Sequence, residues 1–76
     1  MTAKPFNGYR SWNAWNVSLW IKNDESLYFW AQDLAREHGV QNAARIMARE
    51  LRGKTTPDGG RYNLTCIRDA ISDILS

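Results

Sequence analysis

The sequence predicts an all-α fold, a compact bundle of about four short helices preceded by an irregular N-terminal arm. Apolar residues recur at helical spacing in four segments of the 76-residue chain. Residues that favour helix N-termini, among them Ser11 and Asp24, precede these segments, and Gly39 and Gly53 stand where two of them should end. A strand is indicated only weakly, at residues 60–62. These three observations together favour helices throughout.

The composition, 43% hydrophobic and 24% charged, is that of a globular domain. We expect a single helical domain over residues 1–76, with residues 1–10 as the arm and residues 54–62 as a loop. Cys66 is the only cysteine, which excludes an internal disulfide. The N-terminus lacks the apolar stretch of a signal peptide, and no run approaches the roughly 20 apolar residues of a membrane span. We therefore expect a cytoplasmic protein that does not contact membranes.

The first predicted helix follows Ser11, ends near Asn23 and contains three of the four tryptophans. Its two apolar sides are formed by Trp12, Trp15 and Leu19, and by Ala14, Val17, Trp20 and Ile21. A helix that is apolar on both sides needs cover on both, so the second side either completes a dense core or meets a partner. The simplest interpretation places the tryptophans in the core. Asn13, Asn16 and Trp20 lie between the two sides, and we expect them to contact a partner.

Three further helices are predicted. The second begins at Asp24 and ends at His38, the third covers about residues 41–52, and the last runs from Asn63 or Leu64 to Leu75. The residues expected to face the core are Leu27, Trp30, Ala31, Leu34 and His38 in the second helix, Val40, Ala43, Ala44, Met47 and Leu51 in the third, and Leu64, Ile67, Ala70, Ile71, Ile74 and Leu75 in the last.

Positive charge is concentrated in the middle of the chain. Residues 36–68 contain seven Lys or Arg against three Asp or Glu, a net charge of +4. Arg45, Arg49 and Arg52 lie within about 60° of one another, opposite the apolar side of the third helix, and Lys54 and Arg61 extend this set. Three interpretations remain open: a solvated face, a contact with an acidic protein, and a contact with the phosphates of a nucleic acid.

The sequence does not indicate catalysis. Cys66 and His38 are the only cysteine and histidine, fewer than the four ligands of a structural zinc site. Cys66 lies in an amphipathic segment, where a small buried thiol is the usual finding. The carboxylates are spread along the chain, often at helical spacing from an arginine. We expect neither an enzyme nor a bound metal or cofactor.

Several segments resemble those of a group of short phage- and plasmid-borne proteins of unassigned role. That group has a Gly-aromatic pair, a Trp-Asn-Val-x-Leu-Trp core and an Asn-Asp-x-x-x-Tyr turn. The matching segments are Gly8–Tyr9, Ser11–Ile21, Asn23–Glu25, Leu27–Tyr28, Thr56–Gly59 and Arg61–Tyr62. The resemblance implies a mobile-element context, in which small proteins often bind host components and inhibit restriction or CRISPR systems. Many such inhibitors are acidic mimics of nucleic acid, and the basic middle of this chain departs from that pattern.

The leading hypothesis is a non-enzymatic phage-type protein that binds a host protein or complex stoichiometrically, with inhibition of a defence system such as CRISPR-Cas as one outcome. The residues expected to bind that partner are Asn13, Asn16, Trp20, Arg45, Arg49 and Arg52. One alternative is a small nucleic-acid-binding protein that uses Arg45, Arg49, Arg52, Lys54 and Arg61. A second alternative is a homodimeric accessory protein whose interface covers the second apolar side of the first helix.

Overall fold

The computed structural model describes residues 8–76, which form three α-helices. These are α1, Trp12–Asn23, α2, Glu25–Glu50, and α3, Leu64–Leu75. The all-α prediction is confirmed, and within the described range the only β-type pairing is one isolated bridge between residues 55 and 61. The first seven residues of the predicted arm, including Phe6, lie outside the described range. None of the helices found in residues 8–76 is long and apolar enough to cross a membrane.

Each helix begins at a residue whose side chain caps it. Ser11, Asp24 and Asn63 all have extended backbone, and each accepts a hydrogen bond from the main-chain N–H three residues later, at 3.1, 3.0 and 2.9 Å. These bonds satisfy N–H groups that have no partner inside the helix. The predicted starts of the first, second and last helices are therefore confirmed.

The second and third predicted helices are the two parts of α2. Gly39 interrupts α2 with φ 83° and ψ 163°, a non-helical conformation. Ala31 and Ala35 before the interruption and Ala43 and Met47 after it are buried in the same core. The structure therefore has three helices instead of the four predicted, because a single glycine connects the second and third predicted helices.

Replacing Gly39 with L-alanine is expected to lower the free energy of unfolding by about 1–3 kcal/mol, because this backbone region is accessible essentially only to glycine. Nothing lies within 4 Å of a Cβ placed there, so the cost comes from the backbone alone. A synthetic chain with D-alanine at position 39 is the matched control, since a D-residue prefers positive φ. Urea denaturation of both chains measures the difference. Equal losses for the two stereoisomers would contradict this account.

The core consists of small and medium-sized side chains. Its fully buried members include Ala14, Val17, Ile21, Ala31, Ala43, Ala44, Met47, Ile67, Ala70 and Ile71. Most residues predicted to face the core in the third and last helices do so. Leu64 and Leu75, at the two ends of α3, are 37% and 50% exposed, so their prediction as core residues is wrong. The His38 side chain is exposed as well.

The interpretation of the tryptophans as the core is also wrong. Trp12 is 40% exposed, and the other three are half-buried, with Trp30 packed against the core from its edge. The side of α1 that contains Ala14 and Val17 faces inward instead. Ala14, Val17 and Ile21 on this side are fully buried in the core that α1 shares with α2 and α3. The side with Trp12 is left facing outward.

Polar contacts join the C-terminal half of α1, and Tyr9 before the helix, to the end of α3. The Tyr9 hydroxyl donates to Asp73 at 2.8 Å and lies 2.6 Å from the Ser18 hydroxyl. Lys22 also donates to Asp73, and these two hydrogen bonds hold the pKa of the Asp73 carboxyl below its ordinary value. The hydrogen bond between Lys22 and Asp73 also raises the pKa of Lys22. Tyr9 also packs against the core.

Candidate functional site

Asn13 on α1 pairs with the main chain of Arg61 in the loop. Its Nδ2 donates to the Arg61 carbonyl at 2.9 Å, and its Oδ1 accepts from the Arg61 N–H at 2.6 Å. The side-chain amide thus satisfies both main-chain groups of one residue, as a neighbouring strand would. Nδ2 also lies 3.2 Å from the sulfur of Cys66, so the loop, α1 and α3 meet at this amide.

Asn16, one turn further along α1, is buried and connects to the loop through both ends of its amide. Only 1% of the residue is exposed. Nδ2 donates to the Asp58 carboxylate at 3.0 Å, while Oδ1 accepts from the hydroxyl of Thr56. Thr56 in turn accepts from the Gly60 N–H at 2.8 Å. The buried side-chain polar atoms of Asn16 and Thr56 therefore have hydrogen-bond partners, as burial requires.

Trp20 contributes the third connection, because its indole N–H donates to the same oxygen of Asp58 at 2.8 Å. We call these contacts the loop clamp: Asn13, Asn16 and Trp20 on α1, and Thr56, Asp58 and Arg61 on the loop. The polar atoms of the three α1 residues predicted to bind a partner are thus occupied within the chain. Contact with a partner remains a prediction for them, but the Asn16 side chain is inaccessible while the loop is in place.

A glycine is required where the loop approaches α1 most closely. A Cβ on Gly60 would lie 2.7 Å from Oδ1 of Asn16, closer than real Cβ contacts allow. Gly59, beside it, has φ 94°, and its N–H donates to the Thr56 carbonyl at 2.9 Å to close the turn. Because glycine occupies both positions, the loop turns tightly while lying flat against α1.

The loop clamp predicts a pH effect. Hydrogen bonds from Asn16 and Trp20 to the Asp58 carboxylate lower the pKa of that group. A lowered folded-state pKa means that the contribution of Asp58 to stability is present above about pH 4, the unfolded pKa, and is lost as the pH falls through the folded value. We expect the NMR signal of the Trp20 indole N–H to shift with a midpoint below pH 4, and the shift to be absent in Asp58→Asn. A midpoint at or above pH 4 would contradict the clamp.

The five predicted cationic residues form an exposed surface without ion pairs. We call it the basic surface: Arg45, Arg49, Arg52, Lys54 and Arg61, all exposed. Within residues 8–76, none of these five lies within 4 Å of a carboxylate oxygen, whereas Arg10, Lys22 and Arg36 pair with Asp69, Asp73 and Asp33. The side chains of the basic surface are therefore not neutralised by the fold itself.

The structure brings four of these cations around two adjoining depressions. Arg49 and Arg52 line the first, Lys54 and Arg61 line the second, and Tyr62 lines both. Tyr62 is half-buried and packs against the core. Burial, together with the negative charge of Asp24, raises the pKa of its hydroxyl, so the ring remains uncharged. Arg45 precedes Arg49 by four residues on the same side of α2, one helical turn away from the depressions.

The loop clamp fixes where the charged side chains of the loop lie. Asp58 is the only acidic residue between Lys54 and Arg61, and its carboxylate is hydrogen-bonded to α1. Asn13 holds the main chain of Arg61 through two hydrogen bonds, which fixes the position from which the Arg61 side chain extends. The clamp therefore positions the two loop cations next to Arg49 and Arg52. Sequence reasoning identified the cations but missed Tyr62, for which no signal in the sequence indicated a place among them.

Cys66 and His38, the thiol and the imidazole of the chain, lie in different environments. Cys66 is buried, and its sulfur contacts the amide of Asn13. The His38 ring lies beside Glu37, at 3.8 Å, and is exposed. In the part of the chain that the structure describes, no three His, Cys, Asp or Glu residues are grouped so as to hold a metal ion.

Comparison with known proteins gives one match. A family model described as "Family of unknown function (DUF7249)" matches residues 2–76. No curated protein and no solved structure matches the chain.

Proposed function

We propose that this chain, which belongs to the DUF7249 family of unknown function, binds nucleic acid through its basic surface without catalysing a reaction. The observation that carries the proposal is the set of five exposed cations without ion pairs, four of which surround two adjoining depressions. Unpaired cations at a fixed spacing release counterions from a phosphate backbone when they bind it, and this release favours the complex.

The proposal gives the α1 residues a role different from the one that the sequence predicts. In this proposal Asn13, Asn16 and Trp20 do not contact the partner. They hold, by hydrogen bonds, the loop that carries Lys54 and Arg61. The nucleic acid contacts the cations, and the asparagines stabilise the position of the loop. A non-catalytic role is supported by the burial of Cys66 and by its contact with an amide instead of a base.

The test is a binding titration of the wild-type protein against a fluorescent oligonucleotide at several salt concentrations. Four phosphate contacts predict that the logarithm of the association constant falls with the logarithm of the salt concentration with a slope of about −3. An affinity that does not change between low and high salt would contradict the proposal. Binding that grows tighter with salt would contradict it as well.

A second candidate function is stoichiometric binding to a host protein, including a defence complex such as CRISPR-Cas. The observation that favours it is the outward side of α1, where Trp12 is 40% exposed and Trp15 and Leu19 are half-buried. Exposed tryptophan is common at the centre of protein interfaces. The resemblance to phage- and plasmid-borne proteins supports this candidate too, and implies action in the host cytoplasm. Trp12→Ala should then abolish capture of the partner from host lysate, while Arg49→Ala should not.

A further inference from the structure

We infer that the basic surface is built for single-stranded nucleic acid, with the ring of Tyr62 as a platform on which a base stacks. The inference rests on the proposed nucleic-acid binding and specifies its partner. Tyr62 lies between two pairs of cations, Arg49 with Arg52 on one side and Lys54 with Arg61 on the other. An aromatic ring flanked by cations is the arrangement by which proteins bind a flexible single strand: bases stack on the ring while the phosphates contact the cations.

The shape of the surface favours a single strand over a duplex. The cations surround depressions, whereas a protein that reads a duplex inserts a protruding helix or ribbon into a groove. A base in a duplex is stacked between its neighbours and is not free to enter a depression. An unpaired base is free to do so, and its backbone can follow the cations on both sides.

The connection within α2 also argues against a helix-turn-helix. That motif joins its two helices by a turn of about three to four residues and presents the second helix to the major groove. The two parts of α2 are joined through Gly39 alone. Arg45 and Arg49 lie on one side of the second part of α2, and Arg52 follows the end of that helix at Glu50. The arginines that line a depression with Tyr62 are Arg49 and Arg52, near and beyond the C-terminal end, and not Arg45, which is closer to the end that would enter a groove first.

Tyr62 is held in a way that suits a platform. It packs against the core, so the ring does not need to be ordered when a base arrives. The following residue, Asn63, caps α3 through its side chain. The preceding residue, Arg61, is held by Asn13. Both neighbours of Tyr62 in the chain are therefore fixed by hydrogen bonds, and a preformed site of this kind loses little conformational freedom on binding.

The experiment is a competition between a labelled single strand and unlabelled duplex of the same sequence and length, at one salt concentration, with polyglutamate as a third competitor. We expect the single strand to bind about tenfold more tightly than the duplex, the size of effect expected from one stacked base. Tyr62→Leu should remove most of that preference, and Tyr62→Phe should keep it because the ring remains. Circular dichroism of both variants verifies folding. If Tyr62→Leu does not fold, the preference of the wild-type protein for the single strand over the duplex tests the inference.

The outcomes separate this inference from the proposed function. Equal or tighter binding to the duplex, with a normal salt dependence, overturns the single-strand inference and leaves nucleic-acid binding intact. Equal affinity of folded Tyr62→Leu and Tyr62→Phe for the single strand overturns the role of the ring. Loss of salt-dependent binding to both oligonucleotides overturns both proposals. Polyglutamate as the strongest competitor also overturns both, since it would indicate an acidic protein partner.

Discussion

Asn16→Ala is expected to lower the free energy of unfolding by about 2–3 kcal/mol, a large effect for a single substitution. Asn16 is 1% exposed, and both ends of its amide are hydrogen-bonded to the loop. Alanine leaves the buried Thr56 hydroxyl without its acceptor and opens a cavity beside it. An unsatisfied buried polar group costs about 1–3 kcal/mol, and the cavity adds to that. For a domain of this size the loss is a large part of the total stability.

Urea denaturation followed by tryptophan fluorescence measures this loss. Asn23→Ala is the matched control, because it makes the same chemical change in the same helix at an exposed position and should change the free energy of unfolding by no more than about 0.5 kcal/mol. Gly60→Ala should reproduce the effect of Asn16→Ala, since its Cβ would collide with Oδ1 of Asn16. If Asn16→Ala is as stable as Asn23→Ala, the loop clamp does not hold the loop.

The second large effect is expected in binding. The double variant Arg49→Ala/Arg61→Ala removes one cation from each depression and should weaken binding of a single-stranded oligonucleotide on the order of tenfold to a hundredfold at moderate salt. The salt slope should become shallower by about 1 to 2, because each phosphate contact contributes close to one unit. Neither arginine has an ion-pair partner in residues 8–76, so we expect the fold to be retained.

The matched control is Arg10→Ala/Arg36→Ala, which lowers the net charge by the same two units outside the basic surface. Both of these arginines are already paired with carboxylates. A purely general effect of net charge would weaken binding equally in the two double variants. That result would contradict a specific role for the basic surface.

The helices and much of the core were predictable because local pattern determines them. Ser11, Asp24 and Asn63 cap the helices at the predicted positions. Helical periodicity also identified buried residues such as Met47 and Ile67. Periodicity failed for α1, because a helix that is apolar on both sides does not indicate which side faces inward. In the structure Ala14, Val17 and Ile21 face the core, whereas Trp12 is exposed and Trp15 and Trp20 are half-buried.

The loop clamp was beyond prediction because it depends on contacts between distant parts of the chain. Asn16 and Asp58 are 42 positions apart, and no periodicity relates them. The asparagines of α1 are unusual for a solvated face, as the sequence indicates, yet their amides bind the protein's own loop. The grouping of Arg49 on α2 with Arg52 just after the helix was predictable from their spacing. That these arginines lie next to Lys54 and Arg61, around Tyr62, depends on where the loop clamp places the loop.

The most direct test of the central claim is a map of main-chain amide NMR shifts in ¹⁵N-labelled protein titrated with a short single-stranded oligonucleotide. We predict that the largest changes fall in residues 45–54 and 61–63. We also predict small changes along the outward side of α1 around Trp12. Shift changes centred on Trp12, or the absence of changes at every amide at an oligonucleotide excess, would contradict the claim that the basic surface is where this protein binds.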